Sequence, residues 1–360
     1  MATTMLGGFY VPGNNRVVLQ DTPIPTPTAK QVLLKVVAAG VCHSDVFFLN
    51  ASTPDPRTYI LGHENAGYAV SWGSDVTGIT KDQLYVVYLF SSCATQVQGS
   101  LADTAVIGVG LNGGYAKYLI ANVDQLVPVP QGLAPEIACL STDSLITAYR
   151  AVHNAAELRP GTKKRVLIYG AGGLGHQAIQ IAKSYGATVY ACDFKPEARE
   201  LALSLGAEQA FDAAELQAAT ADTAKDPLVV DIGIDFVTNA QSFTLLSSAV
   251  RRAETSLSSP GGLIVLVNVI PSSIGERTAG ANSAALSFNT ADFVTNHINI
   301  KTSLYGTLDD CKASLDLLAK GIVKPIVSTE PLHRVVDVLD ELKANEYLGR
   351  KVILPATGTD

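Results

Sequence analysis

Gly170-Ala171-Gly172-Gly173-Leu174-Gly175 falls directly after the apolar run Val166-Leu167-Ile168-Tyr169 and directly before a helical stretch from His176 to Tyr185. Few sequence features narrow the choice of fold as much. In a G-x-G-x-x-G loop the first glycine allows a sharp turn out of a strand. The second lets the backbone approach a pyrophosphate at the helix N-terminus, and the third lets helix and strand pack closely. From Arg165 onward, near-continuous hydrophobic runs alternate with helical stretches: Val189 to Cys192, Leu228 to Val230 with Ile234 to Val237, and Leu263 to Val267. Strands buried on both faces of a parallel sheet have this texture, so an α/β domain with a doubly wound parallel sheet is predicted. Asp193 closes the strand after the loop. A carboxylate there accepts hydrogen bonds from the adenosine ribose and repels a 2′-phosphate, which favours NAD over NADP, whereas the neighbouring Lys195 is a cation able to accommodate phosphate. The competing reading is a glycine-rich turn in an ordinary α/β unit that binds nothing.

A chain of 360 residues exceeds what one hydrophobic core usually organises, so a second domain is expected. The N-terminal part has a different texture. Residues 15 to 40 alternate β-branched and polar residues around the proline-rich Thr22 to Pro27, Val32 to Val37 reads as a strand, and short strands with Gly turns continue to about residue 130. Ala134 to Ala156 reads as helix, and Leu308 to Lys343 returns to helix and strand. A net charge of -7, from 26 basic and 33 acidic residues, argues against a nucleic-acid partner. No charged leader with an apolar segment opens the chain, and no apolar run reaches the roughly 20 residues that span a bilayer, so no membrane partner and a cytoplasmic location are expected. The five cysteines have no C-x-x-C spacing and read as reduced thiols.

Two short segments carry metal-ligand chemistry: Val41-Cys42-His43-Ser44-Asp45 and Gly62-His63-Glu64. Zinc takes Cys sulfur and His nitrogen readily, and a catalytic site has three protein ligands and one open position. Cys42 and His63 are read as two of the three.

With these segments in hand, the chain resembles the zinc-containing medium-chain alcohol dehydrogenases, and within them the bacterial and fungal secondary-alcohol enzymes. The likeness covers nearly the whole chain through Cys42 to Asp45, Gly62 to Glu64, Gly113-Gly114-Tyr115-Ala116, Thr147-Ala148-Tyr149-Arg150, the dinucleotide loop, Gly306-Thr307 and Gly349-Arg350. It implies a GroES-like β catalytic domain built from 1-150 and 304-360, with a Rossmann domain, 151-303, inserted and the active site in the cleft between them.

The resemblance also implies site roles. The third ligand position, four residues before Thr147, is often cysteine and here is Asp143, which could instead cap the following helix; Cys139 reads as a buried core thiol. Glu64 lies close to the metal in the family, or else is a carboxylate balancing nearby positive charge. Asp45 fits the position that accepts a hydrogen bond from the zinc-bound histidine, a duty compatible with capping a helix that starts at Val46. His43 corresponds to a pyrophosphate contact or is a solvated histidine. Ser44 receives the alcohol proton or is a helix N-cap; the histidine that continues the relay in many relatives is Phe47 here. Leu174 and Thr147 flank the nicotinamide, backbone near Thr238 and Val269 contacts the cofactor, and Arg350 reaches the pyrophosphate; Asn268 replaces a glycine frequent beside Val269. One cysteine, Cys93, stands where classical members bind structural zinc through four, so a single catalytic zinc is expected. The segment Pro271 to Asn299 builds a subunit interface in relatives, which implies a homodimer or homotetramer. The function implied is NAD-dependent, zinc-dependent interconversion of alcohols, secondary ones above all, with ketones or aldehydes, and Phe47, Phe48, Tyr88 and Tyr305 read either as the apolar pocket wall or as core aromatics. Two rivals remain: a zinc-free enone or quinone reductase of the same fold, and a non-catalytic dinucleotide-binding protein.

Overall fold

Residues 3–51, 54–91, 106–221, 223–252, 261–267 and 286–356 are described by the computed structural model. Val269 and Asn268, Cys93 and most of its lobe, and most of the expected interface segment lie outside the described residues. Contacts divide the chain into two units, Met1–Ser144 with Thr307–Lys320 and Ile326–Asp360, and Leu145–Gly306 with Gly321–Pro325.

The first unit is mainly antiparallel β-structure. β1 (Thr4–Tyr10), β2 (Val18–Pro23) and β4 (Tyr59–Ile60) form one sheet in the order β2-β1-β4. The larger sheet uses β3 (Gln31–Gly40), β5 (Glu64–Trp72), β6 (Leu84–Val87), β10 (Leu126–Pro128), β17 (Val327–Pro331) and β18 (Arg350–Leu354) in the order β10-β6-β5-β3-β18-β17, with β9 (Tyr118–Asn122) also pairing β3. β7 (Val106–Ile107) and β8 (Gly110–Leu111) make a two-stranded sheet. Val32, Leu34 and Val36 on β3 enter a core with Leu61, Tyr115, Leu119, Val338 and Ile353, each such side chain contributing about 1.5–3 kcal/mol on burial.

At the end of β3, strand register brings distant segments together. Gly40 stands opposite Glu64, the first residue of β5, and opposite Val352 of β18. A Cβ at Gly40 would lie 2.1 Å from Glu64 Oε2, so a bare glycine is what admits that carboxylate. α1 (His43–Leu49) starts just beyond β3 with Cys42 as its N-cap.

Among the described residues the second unit has six parallel strands, β11 (Arg165–Tyr169), β12 (Thr188–Cys192), β13 (Gln209–Phe211), β14 (Ile232–Asp235), β15 (Leu263–Leu266) and β16 (Asn299–Thr302), in the order β13-β12-β11-β14-β15-β16. This is the dinucleotide-binding strand order, with its reversal between β11 and β14. The inner strands are buried almost throughout, as their unbroken hydrophobic runs imply.

Two local expectations need correction. Leu228 to Val230 is no strand, Val230 making only an isolated bridge to Val250, and β14 stops at Asp235. The Asp235 carboxylate accepts the Val237 and Thr238 amides at 2.9 and 2.8 Å, which turns the chain out of the sheet and holds Thr238 at φ 53. Nor is Ala134 to Ala156 one helix: α2 (Pro135–Ala138) passes into a 3-10 turn at Cys139–Thr142, then α3 (Ser144–Tyr149) and a π-helical turn at Arg150–Ala155. Ser141 and Thr142 hydroxyls donate back to the carbonyls of Ala138 and Cys139, at 2.7 and 2.8 Å, and Asp143 leaves helical geometry at φ -145, ψ -68. Such back-bonding competes with the helical ladder.

Candidate metal centre and dinucleotide site

In the first unit, one donor atom from each of Cys42, His63, Glu64 and Asp143 lies within 4.8 Å of the other three. Cys42 Sγ is 3.3 Å from Asp143 Oδ2, and His63 Nε2 is 3.4 Å from the same oxygen. Ligands bonded at 2.0–2.3 Å around a tetrahedral zinc stand roughly 3.3–3.8 Å apart. The donor set therefore fits zinc in chemistry and in size. The break in the helix explains Asp143: its side chain turns toward Cys42 and His63 rather than capping α3. Its side chain is 16% exposed, against 3% for His63 and 0% for Glu64, so the cluster is open on the aspartate side. A catalytic metal needs such an opening. Cys139 is fully buried and lies outside the cluster.

The sequence around the candidate ligands supplies their support. Asp45, at the third position of α1, accepts the Cys42 amide at 3.2 Å, so the helix starts at His43 and not at Val46. Its Oδ1 lies 3.2 Å from His63 Nδ1 without hydrogen-bond alignment, and its Oδ2 accepts the Tyr115 hydroxyl at 2.6 Å. Ser44 is the second helical residue, not the N-cap, and its Oγ is 3.5 Å from Cys42 Sγ. His43 faces outward, exposed.

Glu64 and Arg350 form a buried ion pair through Oε1 and Nη2. The reading of Glu64 as balancing a positive charge thus has its cation. Arg350, expected at the cofactor, begins β18 and is 4% exposed, and its Nε and Glu64 Oε2 have no hydrogen-bond partner among the described residues. Burial pushes the Glu64 carboxyl up to about 8, with Arg350 opposing and Asp143 adding to the rise. Burial and the Asp143 charge also raise the Cys42 thiol. For His63 burial acts downward, but Asp45 and Asp143 outweigh it and the imidazole is raised well above its usual range. Asp143 moves the other way: burial is overcome by the neighbouring His63 and by the Arg350 charge. A cation binding among these donors competes with protons for them, so its affinity depends on pH.

In the second unit, Gly170 sits at φ 89 beyond β11, its amide donating to Cys192 O at 2.8 Å. A Cβ on Gly175 would lie 1.8 Å from Gly170 O, whereas one on Gly172 would meet nothing within 4 Å. Packing therefore demands glycine at 175 but not at 172, where the open space suits an approaching phosphate. Gly175→Ala is expected to destabilise the protein by about 1–3 kcal/mol, while Gly172→Ala stays within about 0.5 kcal/mol of the parent yet weakens NAD(H) binding. Thermal unfolding and fluorescence titration check the pair; equal affinity in Gly172→Ala would contradict it. Gly173 and Leu174 are half-buried in the same turn, which leads into α4 (Gly175–Ser184). Asp193, 8% exposed, accepts the Ala171 amide at 2.8 Å and the Lys195 amide at 2.9 Å, so it braces the loop. The Lys195 ammonium lies over the exposed Phe194 ring at 5.6 Å. Thr147 is half-buried on α3, and Thr238 occupies the strained turn after β14.

Of the guessed pocket aromatics, Phe47, Phe48 and Tyr88 are half-buried in the first unit, while Tyr305 is buried in the second. Sequence reasoning missed the Glu64–Arg350 pair and the Tyr115–Asp45 bond. The signal for Tyr115 was present: a tyrosine behind two glycines is packed tightly, and a buried hydroxyl needs an acceptor. Among the described residues no helix is long and apolar enough to cross a membrane.

Comparison with known proteins bears on both sites. Residues 28–131 match the alcohol dehydrogenase GroES-like domain family, and residues 173–320 match the zinc-binding dehydrogenase family. An alcohol dehydrogenase of Geobacillus stearothermophilus is 30% identical over 353 residues, covering 93% of this chain and 94% of that protein. An NAD-dependent alcohol dehydrogenase of Sulfurisphaera tokodaii is 30% identical over 361 residues, covering 94% and 96%. The structure of acetophenone reductase from Geotrichum candidum in complex with NAD superposes with a TM-score of 0.82 at 30% identity, covering 100% of this chain and 99% of that one.

Proposed function

Because the chain belongs to the zinc-containing medium-chain alcohol dehydrogenases, a family of oxidoreductases, we propose that it passes hydride between secondary alcohols and NAD, giving ketones. The carrying observation is the meeting of Cys42, His63, Glu64 and Asp143 donors within 4.8 Å. Cys42, His63 and Asp143 would hold one zinc ion. Zinc, when bound, supplies Lewis acidity toward a hydroxyl, and NAD, when bound, supplies the hydride acceptor.

The chain's own residues do the rest. Ser44, beside Cys42, takes up the alcohol proton at its Oγ and passes it to solvent, since Phe47 carries no proton and instead walls the pocket with Phe48. Asp45 orients His63. Glu64, anchored by Arg350, places a carboxylate oxygen next to the ligands. Gly170, Gly172 and Gly175 shape the pyrophosphate turn at the head of α4, and the Asp193 charge disfavours a 2′-phosphate. A secondary alcohol is favoured because a relative of 30% identity is named a reductase of acetophenone, a ketone whose reduction yields one. A zinc-free reductase would have no use for four converging donors.

Assembly into a dimer or tetramer belongs to the same reading. Among the described residues β16 is an edge strand, and Val294, Ile300 and Leu304 near it are 73%, 38% and 53% exposed. Exposed apolar residues at a strand edge invite pairing, and light scattering that returned a single-chain mass would remove this part.

The test of function is a panel of primary and secondary alcohols and ketones, assayed with NAD(H) and NADP(H) before and after chelation. Expected are a preference for secondary alcohols and NAD, loss of activity on chelation and recovery on adding zinc. Undiminished turnover after stripping, with elemental analysis showing the zinc gone, would overturn the reading.

A further inference from the structure

We propose that Tyr115 is a positioning residue for the metal centre: its hydroxyl commits one oxygen of Asp45 and so turns the other onto Nδ1 of His63, leaving Nε2 as the nitrogen for the metal. The inference rests on the zinc reading above.

Tyr115 is fully buried, and its phenolic oxygen lies 2.6 Å from Asp45 Oδ2 and 3.3 Å from Gly40 O. A phenol has one proton to give, and the nearer, charged acceptor takes it. Oδ2 also accepts the Cys42 amide at 3.2 Å. One oxygen of Asp45 is thereby occupied twice. The other, Oδ1, is buried with no hydrogen-bond partner among the described residues, and so is His63 Nδ1, 3.2 Å away. Each is the natural partner of the other once the imidazole turns slightly. An imidazole that gives its Nδ1 proton to a carboxylate presents a lone pair at Nε2, and such bonds fix both the tautomer and the ring direction of a metal-binding histidine.

Backbone contacts hold the phenol where this requires it. The Tyr115 amide donates to Leu61 O at 2.9 Å, and its carbonyl accepts the Gly8 amide at 2.8 Å. The ring lies so close to Gly62 that a Cβ there would be 2.7 Å from Tyr115 Cδ1, and Gly62 directly precedes His63 in the chain. Packing alone would accept phenylalanine. A buried hydroxyl is costly unless bonded, and the bond that this one makes is to Asp45.

Zinc affinity, measured by chelator competition on the full chain, tests the idea in four proteins: parent, Tyr115→Phe, Asp45→Asn and the double variant. Tyr115→Phe keeps the ring and should weaken zinc by about 10-fold, and Asp45→Asn by about 10–100-fold. If Tyr115 acts through Asp45, the double variant binds zinc no more weakly than Asp45→Asn alone, which a general packing defect would not produce. Unchanged affinity in Tyr115→Phe, or effects that simply multiply in the double variant, would overturn the proposal and leave the zinc reading intact. A parent chain that binds no zinc would overturn both.

Discussion

Cys42→Ala is expected to leave the chain without stoichiometric zinc and to lower kcat/KM for alcohol oxidation by about 10³-fold or more, which corresponds to roughly 4 kcal/mol of lost transition-state stabilisation. The thiol is buried at the head of α1, 3.3 Å from Asp143 Oδ2, and no other cysteine among the described residues joins the cluster. Alanine removes the donor with the least change in shape. Cys139→Ala is the matched control: it deletes an equally buried thiol outside the cluster, so zinc content should stay at one per chain and any loss should appear in stability. Elemental analysis beside steady-state kinetics decides the matter. An active, zinc-free Cys42→Ala protein would mean that the metal takes no part in the reaction.

The second large effect is on folding. Arg350→Met should destabilise the protein by about 3–5 kcal/mol, because it strands the Glu64 carboxylate in a site that is 0% exposed. Replacing both partners, as in Arg350→Met with Glu64→Leu, should recover most of that loss, since an apolar pair of similar volume carries no buried charge. The pH dependence has a definite sign. The Glu64 carboxyl already stands at about 8 with Arg350 opposing the rise; without the guanidinium it goes higher. A group whose folded value is raised favours folding below its unfolded value and loses that contribution as pH climbs through the folded value. The deficit of Arg350→Met is therefore smallest in acid and grows toward alkaline pH. Denaturant midpoints of the metal-stripped proteins from about pH 6 to about pH 10, on both sides of the parent value of about 8, measure it, and a deficit that fails to widen above that value would show that the pair is not what Arg350 supports.

Much of the architecture was legible in the chain. β11, the glycine loop and α4 follow from an apolar run, a turn that only glycine makes and a helical stretch, all local in sequence. Buried parallel strands announce themselves as unbroken hydrophobic runs. Cys42 and His63 could be picked out as candidate ligands by residue type and by the short segments that hold them. Two of the misjudged boundaries share one cause: side-chain oxygens bonding to nearby backbone. The Asp235 carboxylate ends β14 early, and the hydroxyls of Ser141 and Thr142 break the helix before Asp143.

Asp143 was open to reading as a ligand or as a helix cap, and the helix break turns its carboxylate toward Cys42 and His63. Arg350 and Glu64 stand 286 positions apart, and nothing in either segment hints at the other. The register of β5, β3 and β18 puts them together, with Gly40 clearing the space. Residue type and short-range spacing thus determined most of the strands, the loop and which side chains are candidates for the chemistry. Which of those side chains meet, and which oxygen of Asp45 faces which neighbour, was decided by strand pairing, because hydrogen bonds and ion pairs between distant segments depend on positions in space that no local pattern encodes.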